Sequence, residues 1–319
     1  MTAPTTAVER QRRRVLALVA VVVAVIAWAV GPIFVSQLSI TLPTIVMYRQ
    51  LMWFPILFML AHLAGDGFTR HHFAVAWKPG IFFSVSAALS FGSFQETTIA
   101  NATLLGSLTP AVLLLAAPRI LGERVTAQRV VYSLVSFVGV VAVVGGAEFG
   151  SGSSAHSLFG DAMALGNMLV WTIYFIAAKR ARDEGVNTWS FLTGICLTNV
   201  LLSVPWAFMV SDDLFDVRPR DWMFLVLMTL IPGTTGHYLM TWAQRYLDTT
   251  VSSLITLGGP VISTVLAFAF VGQSIALVQV LGGVVVLVGL GGVILSATGS
   301  RSTKIVAVGT ADSSLNSNP

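Results

Sequence analysis

The stretch RRRVLALVAVVVAVIAWAVGPIFVS, residues 12–36, decides the class of fold. Three arginines precede an apolar run, from Val15 to about Val35, that carries no charge. A secretory leader opens in the same way, but its apolar core is only about 7–15 residues long. This run is close to the roughly 20 residues needed to cross a bilayer, and no convincing small-residue cleavage site follows it. It reads as a retained first membrane span.

The rest of the chain has the same character. Its 319 residues are 55% hydrophobic and 10% charged, against roughly 25% charged residues in soluble domains. The same figures exclude a disordered chain. Cys196 is the only cysteine, which excludes an internal disulfide and a cysteine-based metal cluster. The formal charge of +4 is scattered over span ends rather than gathered in a patch, so no nucleic-acid partner is expected. At about 20 residues per span, the length allows at most about a dozen crossings and leaves no room for a soluble catalytic domain.

Apolar stretches bounded by polar or turn residues give ten segments. They run near Val15–Ser36, Thr44–Ala64, Gly80–Phe94, Leu104–Leu121 and Val130–Gly146, then Leu158–Ala178, Trp189–Val210, Trp222–Ala243, Val251–Val271 and Leu277–Thr298. The expected fold is an all-α polytopic membrane protein of ten transmembrane helices. Ten spans with a cytoplasmic start place both termini in the cytoplasm. Of the 18 Lys and Arg, the segments then assigned to the cytoplasm hold 15, from Arg10 and Arg12–Arg14 through Arg70, Lys78, Arg119, Arg124, Arg129, Lys179, Arg180, Arg182 and Arg245 to Arg301 and Lys304. Arg218 and Arg220 fall outside, and Arg49 lies within a span. That asymmetry is the positive-inside pattern.

The expected organisation is a cytoplasmic start at residues 1–14, a first five-helix unit at 15–149, a linker at 150–157 (GSGSSAHS), a second five-helix unit at 158–298 and a disordered cytoplasmic tail at 299–319. Sliding the chain by 150 residues places Pro110 on Pro260, Gly122 on Gly272 and Gly139 on Gly289. Five spans per unit is an odd number, so the second unit starts on the opposite side and the repeats are inverted. Inverted repeats are the architecture of secondary transporters, in which two halves open a central site to alternate sides.

At these residues the chain resembles the EamA-type transporters of the drug/metabolite transporter superfamily. The first half carries the pattern in Trp28, Gly31, Arg49, Pro110, Gly122-Glu123-Arg124 and Gln128. The second carries Gly160-Asp161, Trp171, Tyr174, Pro232-Gly233-Thr234-Thr235, Trp242-Ala243, Pro260 and Gly272. The chain departs from the pattern at Gln273, where the family usually has Glu. The resemblance covers about residues 14–298 and implies export of small metabolites, such as amino acids, amines or drug-like solutes, across the cytoplasmic membrane.

Arg49 is the sharpest single candidate for substrate binding. A charge inside a span costs at least about 2.5 kcal/mol and normally faces the bundle interior with a partner. That partner is either the carboxylate of a substrate or a fixed one such as a helix end or Glu96. Trp28, Trp171 and Trp242, with Tyr174, either line an amphipathic cavity or pack as ordinary aromatic residues. Asn101 lies with Gln95 and Glu96 at the third connection. His237 and Gln244 share one face of the eighth span, and they either line a solute path or bond neighbouring helices. His237 is a candidate carrier of a coupling proton, because an unperturbed imidazole titrates near neutrality. Pro32, Pro110 and Pro260 are hinge candidates. The glycines of the last span read as a packing surface, and Glu123, Arg124 and Arg129 as a local charge network.

No phosphate loop, zinc motif or nucleophile turn is present in the sequence, so no cofactor, metal or enzymatic role is expected. The expected partners are a small-molecule substrate and the lipid bilayer. A carrier working by alternating access is the leading reading. A channel or a membrane-embedded sensor is the alternative.

Overall fold

In the computed structural model, residues 7–97, 99–123, 125–151, 158–271 and 275–299 are described. The linker residues 152–157, the tail from 300 onward, Arg124, and Gly272-Gln273-Ser274 lie outside them. Ten helical segments are long and apolar enough to cross a membrane. They are Gln11–Ser36, Leu42–Ala64, Arg70–Glu96, Ala102–Leu121, Ala127–Gly145, Leu158–Ala181, Thr188–Val210, Pro219–Ala243, Thr249–Leu266 and Leu277–Ser296, referred to below as the first to tenth spans. No strand occurs among the described residues. The fold is an all-α polytopic membrane protein, as the hydropathy indicates.

The third span differs from expectation. The expected apolar stretch starts at Gly80, yet the helix begins at Arg70 and carries Pro79 inside it. Its start is fixed instead by Thr69, whose hydroxyl accepts from the His72 N–H while His72 Nδ1 accepts from the Thr69 N–H, a reciprocal cap. A proline two turns into a membrane helix is tolerated where neighbouring groups satisfy the backbone it frees.

Second and seventh spans pack together, third on sixth, first on eighth, and fifth on tenth. The last pair is held by glycines. A Cβ on Gly139 would stand 2.7 Å from Gly282 O and 2.7 Å from Val286 N, and one on Gly289 would meet Tyr132 O at 2.8 Å and Ser136 N at 2.9 Å. The backbones therefore touch where only hydrogen fits, as membrane helices do when packing rather than hydrophobicity holds them. The shift of 150 residues turns one set of contacts into the other. Val138 and Val288, each one residue before these glycines and so about 100° round the helix, are exposed to the surroundings.

Three proline breaks interrupt the spans. The first helix stops at Ala29 and restarts at Gly31–Ser36 with Pro32 in its first turn. Pro110 opens Thr109–Leu121 after the short helix Ile99–Gly106, and Pro260 opens Gly259–Val271 after Thr249–Ile255 and one 3₁₀ turn. Thus the fourth and ninth spans break at corresponding prolines.

Carboxylates tie the halves at both ends. Glu123, after the fourth span, accepts hydrogen bonds from Thr249 N (2.6 Å), Thr250 N (3.0 Å) and Thr250 Oγ1 (2.8 Å) at the start of the ninth. Arg129 reaches Asp248 at 3.0 Å. The network expected within the fourth-to-fifth loop is therefore a contact across the two halves, because the orphan N–H groups of a helix start attract a carboxylate. At the other end Asp213 caps the second span through Thr41 and Thr44. Asp221 accepts from Ser39 N at 3.0 Å and Ser39 Oγ at 2.8 Å. Partial burial raises the Asp213 carboxyl, but the hydrogen bonds from Thr44 and Thr41 lower it further, so it sits below its ordinary value.

Candidate functional site

A cavity of about 280 Å³ lies between the two halves, where the first, second, third, fourth, sixth, eighth and ninth spans converge. Its shape begins with the eighth span. Residues Thr229–Gly236 form a π-helical stretch around Pro232, and Thr234 Oγ1 and Thr235 Oγ1 donate to the carbonyls of Thr229 (2.9 Å) and Leu230 (3.1 Å) five residues back. Such widened turns gather at functional sites because they re-aim backbone and side chains. Here the stretch presents two glycines to the other half. A Cβ on Gly236 would stand 2.5 Å from Trp28 Nε1, and one on Gly233 would lie 3.4 Å from Arg49 Nη2. With the glycine in place, the Trp28 indole N–H donates to Pro232 O at 3.1 Å.

Arg49 projects from the second span into this cavity and is 3% exposed. Its Cζ lies 5.5 Å from the Trp53 ring and 5.4 Å from that of Phe91. Its Nε is buried without a hydrogen-bond partner, and the guanidinium forms no ion pair among the described residues. Glu96, a candidate fixed partner, is exposed at the end of the third span. Among the described residues that line the cavity, only Arg49 and His237 are titratable and none is a carboxylate. The site therefore carries positive charge in a low-dielectric setting without an internal counter-charge, which favours an anionic guest.

His237 sits within an aromatic box. Its ring centroid is 5.2 Å from Trp28, 5.5 Å from Trp53, 5.0 Å from Phe83 and 6.0 Å from Trp171. Trp28 and Trp171 meet edge to face at 5.7 Å. Tyr174 is buried one layer behind, 4.9 Å from Trp171 and 5.2 Å from Phe83, and does not line the cavity. The polar wall is made by Ser86, whose hydroxyl donates to Asn167 Oδ1 at 2.6 Å, with Ser90, Thr109 and Thr256.

Of the residues singled out in the sequence, the structure brings Arg49, Trp28, Trp171 and His237 together, with Pro32 in the wall. Trp242 packs on Tyr246 at 5.0 Å, and Gln244 is buried past the helix end, its carbonyl accepting from Lys179 Nζ at 2.7 Å; neither lines the cavity. Asn101 lies on the short helix Ile99–Gly106, and its side chain is outside the described residues. Pro110 and Pro260 stand at the breaks that carry Thr109 and Thr256 to the wall. Sequence reading missed Phe83, Ser86, Ser90, Phe91 and Asn167. Their signal was present: residues 83, 87, 90, 91 and 94 follow one helical face of the third span, and Asn167 is a polar residue inside the sixth.

A family model described as the EamA-like transporter family matches residues 15–145 and again residues 158–295. Over 176 residues the chain is 23% identical to a protein of Ancylobacter novellus named aromatic amino acid exporter YddG; the match covers 55% of this chain and 60% of the exporter. An uncharacterized transporter of Archaeoglobus fulgidus is 20% identical over 210 residues, covering 66% and 72% of the two chains. A solved crystal structure superposes with a TM-score of 0.74 at 19% identity, covering 88% of this chain and 97% of its own, and shares the fold.

Proposed function

The chain belongs to the EamA-like transporter family and is a multi-pass membrane protein, and from that premise we propose that it is a secondary carrier, not an enzyme, which exports small solutes that bear a carboxylate or similar anionic group beside an apolar or aromatic portion. The observation that carries this reading is Arg49, a buried cation that forms no ion pair among the described residues, in a cavity whose described lining includes no carboxylate. A bound anion would complete its hydrogen bonds in the paired geometry that a guanidinium offers. Trp28, Trp171 and Phe83 would receive the apolar portion, and the hydroxyl wall of Ser86, Ser90, Thr109 and Thr256 would orient the polar end. The aromatic amino acids named for the Ancylobacter relative fit that description. His237, beside the same cavity, is the candidate for a coupling proton.

Two units, residues 15–149 and 158–298, would act as inverted repeats. The reciprocal glycine contacts of the fifth and tenth spans and the matched proline breaks support this arrangement. Alternating access would then exchange the carboxylate contacts at the two ends, Glu123 at one and Asp213 and Asp221 at the other.

Counterflow in proteoliposomes tests the reading, with labelled phenylalanine, tyrosine and an amine of matching size. Uptake of label driven only by unlabelled amino acid inside is expected for the parent. Arg49→Ala should abolish it, and Arg49→Lys should lower it at least tenfold, because a point charge does not replace the planar fork. Counterflow of the amine alone, unchanged in Arg49→Ala, would refute the anionic-substrate assignment.

A further inference from the structure

A second cavity, of about 590 Å³, opens between the third, fourth and sixth spans, outside the central site. Phe82, Ile120 and Ile176 make an apolar wall, while Lys78, Arg180 and Glu184 supply its charges. Two cations face one carboxylate. Neighbouring Lys179 does not add to the balance, since it is paired with Asp183 at 2.8 Å. Lys78 forms no hydrogen bond or ion pair among the described residues; its Nζ lies 5.5 Å from the ring of its neighbour Trp77. Arg180 uses one nitrogen on the carbonyl of Ile120, at 3.3 Å, and keeps its remaining donors.

The depth of the cavity identifies what would fill it. The third span has 27 residues, about 40 Å of helix, against about 30 Å of hydrocarbon. Counting about 20 residues back from Glu96 brings the boundary of the hydrocarbon layer to Trp77 and Lys78. Trp77 is half-exposed, as expected of an aromatic residue at the headgroup level. The cations therefore sit where lipid phosphates sit, and the apolar wall continues toward the acyl chains.

We propose that this cavity is a binding site for an anionic glycerophospholipid, whose phosphodiester lies between Lys78 and Arg180 while an acyl chain covers Phe82, Ile120 and Ile176. A monoanionic headgroup of the phosphatidylglycerol type neutralises the site, whose own charges sum to one positive. Basic pockets between membrane helices take such headgroups by the same electrostatics. Glu184, at the rim, is the counter-charge that limits the site to a single phosphate.

Native mass spectrometry of the full chain, with phosphatidylglycerol, phosphatidylethanolamine and phosphatidylcholine of identical acyl chains, tests the assignment without any transport step. Phosphatidylglycerol is expected to be retained in a 1:1 complex at detergent concentrations that strip the other two. Lys78→Gln and Arg180→Gln should each weaken retention about tenfold, the loss of one charge-assisted contact. Arg245→Gln, an exposed charge away from the cavity, should leave it unchanged. Lipid-free thermal midpoints identify any variant that has lost its fold, in which case the headgroup preference of the parent decides. Equal retention of all three lipids, or equal loss in Arg245→Gln, would overturn the proposal.

Discussion

Replacing Glu123 by alanine removes three hydrogen bonds that reach from one half of the molecule to the other: Thr249 N at 2.6 Å, Thr250 N at 3.0 Å and Thr250 Oγ1 at 2.8 Å. Hydrogen bonds to a charged group are worth about 1.5–3 kcal/mol net, and loss of a helix cap costs about 0.5–2 kcal/mol. Glu123 is half-buried, so water restores part of the loss, and about 2 kcal/mol is the expected effect. That free energy corresponds to an approximately 30-fold shift toward states open at this end. Arg129 with Asp248, at 3.0 Å, remains and keeps the shift from being larger. Spin labels at Thr126 and Arg245, both exposed and flanking the contact, would report it in a Cys196→Ser background. A serine there can still donate to Gln50, which lies 3.5 Å from the thiol. The distance distribution should gain a longer component in Glu123→Ala and a smaller one in Glu123→Gln, which keeps an acceptor oxygen. An unchanged distribution in a folded, monodisperse Glu123→Ala would show that this carboxylate does not hold the end closed.

Two further outcomes follow from the same structure. Gly289→Leu should lower the thermal midpoint clearly and Gly291→Ala should not: a Cβ at 289 meets backbone within 2.9 Å, whereas nothing lies within 4 Å of one at 291. Overpacking of this kind costs about 1–3 kcal/mol, and equal midpoints would refute the glycine seam. Asp213 has a lowered folded-state value, so its contribution to the cap on the second span is present above about pH 4, the unfolded carboxyl value, and is lost as pH falls through the folded one. The protection of the Thr41, Leu42 and Thr44 amides, relative to their intrinsic exchange rates at each pH, should fall with acidification in the parent, and Asp213→Asn should be weakly protected throughout; identical pH profiles would remove Asp213 from the cap.

The fold and the site differ in how far the sequence alone reveals them. Hydropathy gave all ten spans, because a bilayer demands a long uncharged stretch from every crossing and each stretch declares itself locally. The third span runs ten residues further toward its start than the apolar stretch Gly80–Phe94, because residues 70–79 carry charge and a proline yet continue the same helix, capped by Thr69 and packed on the sixth and seventh spans. Arg49 stood out for the same reason as the spans did, as an isolated charge in an apolar run. Trp242 and Gln244 carried equally suggestive side chains but lie past the reach of the cavity.

What the sequence by itself determined is therefore the membrane class, the number of crossings, the family, and the presence of a buried cation, all consequences of local composition and order. What only the tertiary structure decided is which side chains converge. Seven spans from both halves meet at the cavity, and the convergence of Trp28, Arg49, Ser86, Asn167 and His237 depends on helix rotation and on the π-helical widening at Thr229–Gly236. Glu123 likewise looked like part of a local loop, and it became a cross-half contact because the nearest orphan N–H groups belong to Thr249 and Thr250. Partnerships between residues more than a hundred positions apart are set by packing, which no local pattern encodes.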